Sequence, residues 1–240
     1  MIKVVYVGYD PRYDIDYQVC RASILRRTKD VHIIKLAEEP LRAARLYTRE
    51  WREVDGQRID HVDGTAFSTE FAFSRFLVPN LALRQGWALF CDSDMLFTAD
   101  LASLFDCAND RYAAMVVKHD HRGTSTTKMR GATQAYYKRK NWSSLVLWNC
   151  EHPAHKALDP WLINHASGQW LHAFSWLKDE EIGELPRAWN YLVGVSPAVD
   201  DEPPGIHFTL GTPWTLRPEQ CQFGDLWWKE FYRETLRGVE

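Results

Sequence analysis

Short apolar runs alternate with amphipathic segments along the first part of the chain. Residues 2–7 and 31–36 are apolar runs, and residues 15–27 between them carry apolar positions at helical spacing. Runs of this length suit strands that are buried on both faces, whereas the segment between them suits a helix packed on the sheet. This order of elements predicts an α/β fold with a parallel sheet and a right-handed crossover.

The same alternation continues downstream. Residues 69–86 predict a helix in which Pro79 introduces a kink or local break and Gly86 marks the end. Further elements are predicted from apolar runs: strands at 87–91, 113–117 and 144–148, and a short helix near 101–105. We therefore expect a single domain with a mostly parallel central sheet flanked by helices.

Composition and charge narrow the function classes. The 240 residues are 45% hydrophobic and 25% charged, as in an ordinary soluble globular protein. The net charge of −3 offers no broad basic field, so nucleic acid is not an expected partner.

Five widely spaced cysteines without a CxxC pair argue against a disulfide framework and a zinc site, and favour a reducing cytoplasm. Because no apolar stretch approaches the length of a membrane span or a signal peptide, membrane contact is expected to be at most peripheral.

The clearest candidate chemistry lies in ALFCDSDMLF, residues 88–97, where an apolar run ends at two aspartates. Asp92 and Asp94 point the same way if the backbone stays extended, so their carboxylates can share one divalent cation. Ligands of open α/β sheets bind beyond the carboxyl ends of the strands, which favours this interpretation. The alternative is that Asp94 caps a short following helix and Asp92 accepts backbone hydrogen bonds.

Charged residues elsewhere leave open alternatives. The turn GYDPRYD after the first strand lacks the spaced glycines of a dinucleotide fingerprint, so NAD and FAD are not indicated. Arg75 lies among apolar residues, where it either is buried with a partner or extends its head group to solvent. Residues 118–141 carry seven basic side chains against one acid, which predicts either a positive rim for a phosphate or acidic acceptor, or a solvated loop.

The C-terminal residues are rich in aromatic side chains. Trp227, Trp228, Phe231 and Tyr232 can form an apolar face. This face suits either a terminal helix packed on the core or a surface that meets a partner or a membrane.

Taken together, five segments in this order resemble one family: GYD, FSRFLVPNL, DSDMLF, the acidic turn before IGELP, and HFTLGTPW. The resemblance is to metal-dependent nucleotide-sugar glycosyltransferases of the GT-A fold, and within them to bacterial proteins of the family 8 type. It implies a Rossmann-like GT-A domain over 1–215, with a nucleotide- and metal-binding half (1–117) and an acceptor and active-site half (118–215). Residues 216–240 would then form a C-terminal helical extension.

The resemblance also implies a donor site. Asp92 and Asp94, with Ser93 between them, match the family's Asp-x-Asp motif, and His207 matches the histidine that completes a Mn²⁺ (or Mg²⁺) site. Arg75 matches a helix arginine near the donor diphosphate or sugar.

Two further pairs of residues are assigned by the resemblance. Tyr9 and Asp10 occupy the place where the family contacts the base and ribose of the nucleotide. Asp179 falls where the family has an acid beneath the donor sugar, and with Glu180 it is the candidate catalytic group. Two departures stand out: Thr212 replaces a diphosphate-binding lysine, and Glu180 replaces an amide.

The activity implied by the resemblance is transfer of a sugar, with retention, from a UDP-sugar to a saccharide or other hydroxyl acceptor, as in polysaccharide biosynthesis. A haloacid dehalogenase-like phosphatase is an alternative, because that superfamily also places Asp-x-Asp at a strand end. A catalytically silent protein that binds sugar nucleotides is another.

Overall fold

A computed structural model describes residues 2–119, 139, 141–216 and 221–237 of the chain. Most of the basic segment at 118–141 therefore lies outside the described residues. Its described basic members are Lys118 and Arg139.

The described strands fall into three sheets and are numbered here in chain order. They are β1 (Lys3–Gly8), β2 (Val31–Leu36), β3 (Trp51–Val54), β4 (Gln57–Asp60), β5 (Ala66–Phe67), β6 (Trp87–Cys91), β7 (Met95–Phe97), β8 (Ala114–Val116), β9 (Leu145–Asn149), β10 (Ile182–Glu184), β11 (Tyr191–Leu192) and β12 (Gly205–His207).

The described α-helices are numbered in the same way. They are α1 (Asp14–Arg27), α2 (Glu38–Ala43), α3 (Phe71–Ser74), α4 (Val78–Leu81), α5 (Ala102–Phe105), α6 (Pro160–His165), α7 (Gly168–His172) and α8 (Gly224–Arg237).

The central sheet has six strands in the order β10-β8-β9-β6-β1-β2. Its pairs are parallel except where β9 runs antiparallel to β6 and β8. The apolar run of β6 lies in the middle, with residues 88–91 at most 1% exposed. The predicted α/β fold with a mostly parallel sheet is confirmed, because runs without polar positions can only be accommodated between two covered faces.

Two small sheets extend this core. The antiparallel strands β3, β4 and β5 follow α2, and a second sheet has the order β11-β12-β7. In the second sheet, β12 pairs antiparallel with β7 and parallel with β11. This sheet matters for function because it brings a late part of the chain beside the strand that directly follows Asp94.

The helix expected over 69–86 is broken into pieces. The segment forms α3, a 3-10 turn at Arg75–Leu77 and α4, and Gly86 precedes β6 with φ of 57°. The nitrogen of Pro79 carries no hydrogen and cannot bond the carbonyl of Arg75, four residues earlier. Instead the Val78 amide donates to that carbonyl, which tightens the turn to the 3-10 form before α4 begins.

The C-terminal helix α8 packs against α1. Glu230 is 1% exposed and accepts from Arg26 Nε at 2.6 Å and Arg27 Nη1 at 3.1 Å. Trp227 is buried, whereas Tyr232 remains more than half exposed. Packing of a terminal helix on the core therefore accounts for part of the aromatic face. Within the described ranges, every helix is too short or too polar to cross a bilayer.

Candidate metal and donor site

The Asp92–Asp94 turn connects β6 directly to β7, and its backbone is fixed at both ends. The Asp92 amide donates to the Ser144 carbonyl at 2.9 Å, and the Phe208 amide donates to the Asp94 carbonyl at 3.0 Å. Ser93 is buried between the two acids. Because a strand, and not a helix, begins at Met95, the helix-capping alternative for Asp94 is wrong.

His207 reaches this turn from the other half of the chain. It lies in β12, opposite Met95 of β7. Its Nε2 is 3.3 Å from Asp94 Oδ1, and one ligand atom from each of Asp92, Asp94 and His207 lies within 4.8 Å of the others. The structure thus brings together three residues that are 2 and 113 positions apart in the sequence.

A hydrogen-bonded chain orients the imidazole. Asn190 Nδ2 donates to Ser144 Oγ at 2.9 Å, which leaves Asn190 Oδ1 to face His207 Nδ1 at 2.9 Å. An amide oxygen only accepts, so Nδ1 carries a proton, and in the neutral imidazole the lone pair is on Nε2. Metal-binding histidines are commonly held in this way by a polar group on the second nitrogen. Sequence reasoning missed Asn190, because no local pattern distinguishes it from other polar residues in turns.

Arg75 is buried with partners, which resolves its two sequence-based alternatives. It is 6% exposed, and its Nη1 lies 2.8 Å from Asp92 Oδ1 and donates to the Ser143 carbonyl at 2.9 Å. Its guanidinium also lies over the ring of Phe90 at 4.9 Å. A fixed cation thus stands next to one member of the acidic pair, held by both charge and packing.

The donor set suits a divalent cation. Two carboxylates and one imidazole provide hard oxygen ligands and one borderline nitrogen, a combination that fits Mn²⁺ or Mg²⁺ better than a thiolate-preferring ion. Two described observations support the fit: the convergence of the ligand atoms, and the fixed tautomer that presents Nε2 toward Asp94.

A further acid, Asp16 of α1, lies close to this cluster. It is 4% exposed and accepts from Thr212 Oγ1 at 2.8 Å. Burial raises the pKa of Asp16 to about 7; the hydrogen bond from Thr212 opposes this shift and the charge of Asp94 adds to it. Thr212, the residue that departs from the family's lysine, is therefore a partner of a buried carboxyl group.

Asp10 lies at the carboxyl end of β1, but its carboxylate is enclosed. It is fully buried and accepts from Arg12, from Arg58 at Nη1 and from the Glu70 amide at 3.1 Å. Burial alone would raise the pKa of Asp10, but the hydrogen bonds from the two arginines lower it below its usual range.

Tyr9, next to Asp10, remains partly exposed. Its hydroxyl donates to Asp14 Oδ1 at 3.0 Å, and Lys35 Nζ lies 4.2 Å from the centre of its ring. The partly exposed group at this turn is therefore the Tyr9 ring, with the Lys35 ammonium on one of its faces.

Asp179 and Glu180 lie in the turn that precedes β10, the edge strand separated from β6 by β8 and β9. The Asp179 side chain is 70% exposed and pairs with Arg139, and Glu180 is exposed. The metal cluster, in contrast, lies at the carboxyl end of β6. The structure thus places the two groups of candidate residues on different strands of the sheet.

Comparison with known sequences shows a family relationship to one plant protein. No family model matches the chain. The chain is 46% identical over 231 residues to Protein CDI from Arabidopsis thaliana, an alignment that covers 94% of this chain and 85% of that protein.

Solved structures with a similar fold are glycosyltransferases. WbbM, a bifunctional glycosyltransferase, matches with a TM-score of 0.60 at 18% identity over 96% of this chain and 49% of its own. GlyE from Streptococcus pneumoniae matches with a TM-score of 0.61 at 15% identity, over 96% of this chain and 60% of its own. The chain therefore spans about half of WbbM and three fifths of GlyE.

The galactosyltransferase LgtC, solved with donor and acceptor sugar analogs, matches over nearly its whole length. The TM-score is 0.54 at 13% identity, over 96% of this chain and 95% of LgtC. These likenesses confirm the expected GT-A fold.

Proposed function

We propose that this chain, which belongs to the family of Protein CDI from Arabidopsis thaliana, is a metal-dependent glycosyltransferase that moves a sugar from a nucleotide-sugar donor to a hydroxyl acceptor. The observation that carries the proposal is the convergence of Asp92, Asp94 and His207 within 4.8 Å. In a GT-A fold, this cluster lies at a strand end of the kind where open α/β sheets bind ligands.

The residues of the site would divide the work of breaking the bond to the nucleotide. Asp92, Asp94 and His207 would hold Mn²⁺ or Mg²⁺, with His207 oriented by Asn190. When bound, the ion supplies a Lewis acid for the diphosphate leaving group. Arg75 would add a fixed positive charge beside it, since its guanidinium is already held at Asp92.

The finer assignments extend this proposal. The donor is a UDP-sugar, and the transfer retains the configuration of the sugar. Tyr9 and Asp10 lie at the base and ribose of the nucleotide, and Ser93 is part of the Asp-x-Asp motif that binds the donor. Because Asp10 is enclosed by Arg12 and Arg58, it would contribute to nucleotide binding indirectly, by fixing the loop around it. The resemblance implies that Asp179 or Glu180 stabilises positive charge at the sugar carbon. Because β10 runs parallel to β6, the start of β10 lies at the edge of the sheet opposite the metal cluster, so this role would require the turn before β10 to approach the cluster. Residues 1–117 would bind nucleotide and metal, 118–215 would bind the acceptor, and 216–240 would form the extension.

The fold likeness weighs against the phosphatase alternative. A haloacid dehalogenase-like enzyme would need a further acidic motif beside the first pair, for which Asp200–Glu202 is the candidate segment. Instead, the third residue with a ligand atom within 4.8 Å of those of Asp92 and Asp94 is His207. A silent sugar-nucleotide binder shares the fold and the site, so it must be separated by experiment.

The test is a thermal-shift panel of UDP, GDP, CDP and TDP, each with and without Mn²⁺. One nucleotide with Mn²⁺ should raise the melting temperature of the wild-type protein by roughly 5 °C or more at saturating concentration. The Asp92→Asn/Asp94→Asn variant should lose this shift. The matched control is Asp106→Asn, which changes an exposed acid after α5 and should leave the shift intact.

Release of nucleoside diphosphate then separates a transferase from a silent binder. With the nucleotide identified, its sugar conjugates are incubated with Mn²⁺ and candidate acceptors. Release that needs both aspartates supports transfer. Absence of any nucleotide shift, or an equal shift in the double variant, would contradict the metal and donor site.

A further inference from the structure

A concave cavity of about 780 Å³ is lined in part by β11, the strand that pairs with β12, which carries His207. Its described lining comes from the 3-10 turn at Arg187–Asn190, from β11, from the loop that joins β11 to β12, and from His119 after β8. Most of these residues belong to the segment between Arg187 and Pro204. One continuous stretch of chain therefore builds most of the described wall.

This stretch also supports the metal cluster. Leu192 of the cavity wall is paired with His207 in the parallel β11–β12 ladder, and neighbouring strands lie about 4.8 Å apart. Asn190, which orients His207, is followed directly by Tyr191 of the wall. A molecule in the cavity would thus lie one strand away from a residue proposed to hold the ion.

The wall of the cavity is largely apolar. Val195 and Val199 are 47% and 40% exposed, and Pro197, Pro203 and Pro204 line the same space. Single exposed valines are ordinary on a protein surface, but apolar groups gathered around a concave space are typical of a site that holds an apolar part of a ligand.

The charges around the cavity favour one kind of occupant. Among the described lining residues, Asp200, Asp201 and Glu202 stand against one arginine, Arg187. The excess of negative charge repels an anionic ligand and is compatible with a neutral or cationic one.

We propose that this cavity binds the acceptor, and that the acceptor is a hydroxyl compound that carries an apolar group and no negative charge. The assignment as acceptor site rests on the proposed glycosyltransferase function. The apolar group would lie against the valine and proline wall, and the hydroxyl group would point toward the β12 side, where His207 lies. This differs from one of the two interpretations of residues 118–141, a positive rim for a phosphate or acidic acceptor; most of those residues lie outside the described part of the chain.

The experiment measures binding of methyl, butyl and hexyl β-glucoside, below micelle-forming concentrations, to the full chain. Each methylene group that enters an apolar site adds up to about fourfold in affinity. Because the cavity is open to solvent, we expect a smaller total gain, of about tenfold from methyl to hexyl. Titration calorimetry or ligand-observed NMR provides the affinities, and no donor or metal is needed.

The chain offers a closely matched control. Val195→Ser/Val199→Ser removes apolar wall and should reduce hexyl glucoside affinity by about fivefold or more. Val54→Ser/Val62→Ser changes two valines with similar exposure, 43% and 40%, outside the cavity lining, and should leave the affinity unchanged. No gain with chain length, or an equal response of both variants, would overturn the proposal.

A second arm tests charge. Hexyl glucoside 6-phosphate should bind at least about tenfold more weakly than hexyl glucoside, because its charge meets the acidic lining. Asp200→Asn/Asp201→Asn should narrow this gap, whereas Glu53→Gln/Asp55→Asn, which changes exposed acids on the β3–β4 hairpin, should not. Equal binding of the two probes to the wild-type protein would contradict the charge preference.

The nucleotide shift keeps the two proposals apart. If UDP with Mn²⁺ stabilises the protein but no alkyl glucoside binds, the cavity proposal fails while the donor site stands. If alkyl glucosides bind as expected but no nucleotide does, the glycosyltransferase proposal fails, and with it the cavity's role as an acceptor site.

Discussion

Two acidic turns at neighbouring strand ends show how the same residue type acquires opposite roles. Asp10 follows β1 and Asp92 follows β6, and these strands pair in parallel, so both acids lie at the same edge of the sheet. Two arginines close the first turn, whereas the second turn has one arginine, Arg75, at Asp92 and a histidine beside Asp94. The contacts that reach each turn, local ones as well as distant ones, decide which acid can hold an ion.

The contacts come from different distances along the chain. Arg12 lies 2 residues from Asp10, whereas Arg58 arrives from β4, 48 residues away. His207 arrives at Asp94 from β12. Because Asp10 is fully buried among donors, it stabilises the fold. Asp92 and Asp94 keep partial exposure and meet an imidazole whose Nε2 is presented for a ligand.

The largest expected effect comes from breaking the closed turn. Asp10→Asn removes the charge that faces Arg58, itself 5% exposed, and should lower the free energy of unfolding by about 3 kcal/mol. Urea denaturation measures it. Asp94→Asn, in the presence of a chelator, should change stability by much less. Similar losses in the two variants would remove the distinction between a closed and an open acidic turn.

The next effect concerns Asp16, which is intermediate between the closed turn at Asp10 and the open turn at Asp92. Its carboxyl group is buried, but its hydrogen-bond donor is the neutral hydroxyl of Thr212 and not an arginine. Its pKa of about 7 in the folded protein exceeds the ordinary 3.8, so the folded state binds more protons between these values. The free energy of unfolding should therefore fall as pH rises through about 4 to 7. Asp16→Asn cannot ionise, and should be more stable than wild type at pH 8 by on the order of 2 kcal/mol.

Chemical denaturation from pH 4 to pH 8, in the presence of a chelator, checks this prediction. The stability difference between Asp16→Asn and wild type should be small at pH 4 and grow toward pH 8. A difference that stays constant over this range would show that Asp16 keeps the same protonation state in the folded and unfolded proteins.

The third effect, on metal affinity, should come from loosening the open turn without removing a ligand. Asn190→Ala frees the His207 ring and should weaken Mn²⁺ binding by tenfold to a hundredfold, or about 1.4 to 2.7 kcal/mol. Asn164→Ala is the matched control, because it removes a buried asparagine that bonds the Thr48 and Arg49 amides instead. It should reduce stability while Mn²⁺ affinity is unchanged. Equal affinities in the two variants would argue against a role for Asn190 in metal binding.

The sequence predicted the acidic pair and five of the six strands of the central sheet, since both depend on local pattern, but it did not predict β10. Continuous apolar runs determined the strands, and residues 88–97 combine a buried strand with two carboxylates at its end. The position of His207 followed from family resemblance, because an isolated histidine carries no spacing signal of its own.

Features that depend on distant contacts could not be predicted. The closure of Asp10 needs Arg58, and the orientation of His207 needs Asn190 and Ser144, which lie on separate segments. The 3-10 turn at Arg75 is a local feature, and the break that it makes in the helix was predicted from Pro79, whose nitrogen carries no hydrogen.

Counting Mn²⁺ by the electron paramagnetic resonance signal of the free ion, with a nucleoside diphosphate present and a nucleotide-only blank subtracted, tests the central claim most directly. We predict one tightly bound Mn²⁺ per wild-type chain, and loss of this ion in Asp94→Asn and in His207→Ala but not in Asp106→Asn. Retention of the same stoichiometry and affinity in Asp94→Asn and His207→Ala would contradict the assignment of the Asp92, Asp94 and His207 cluster as the metal site.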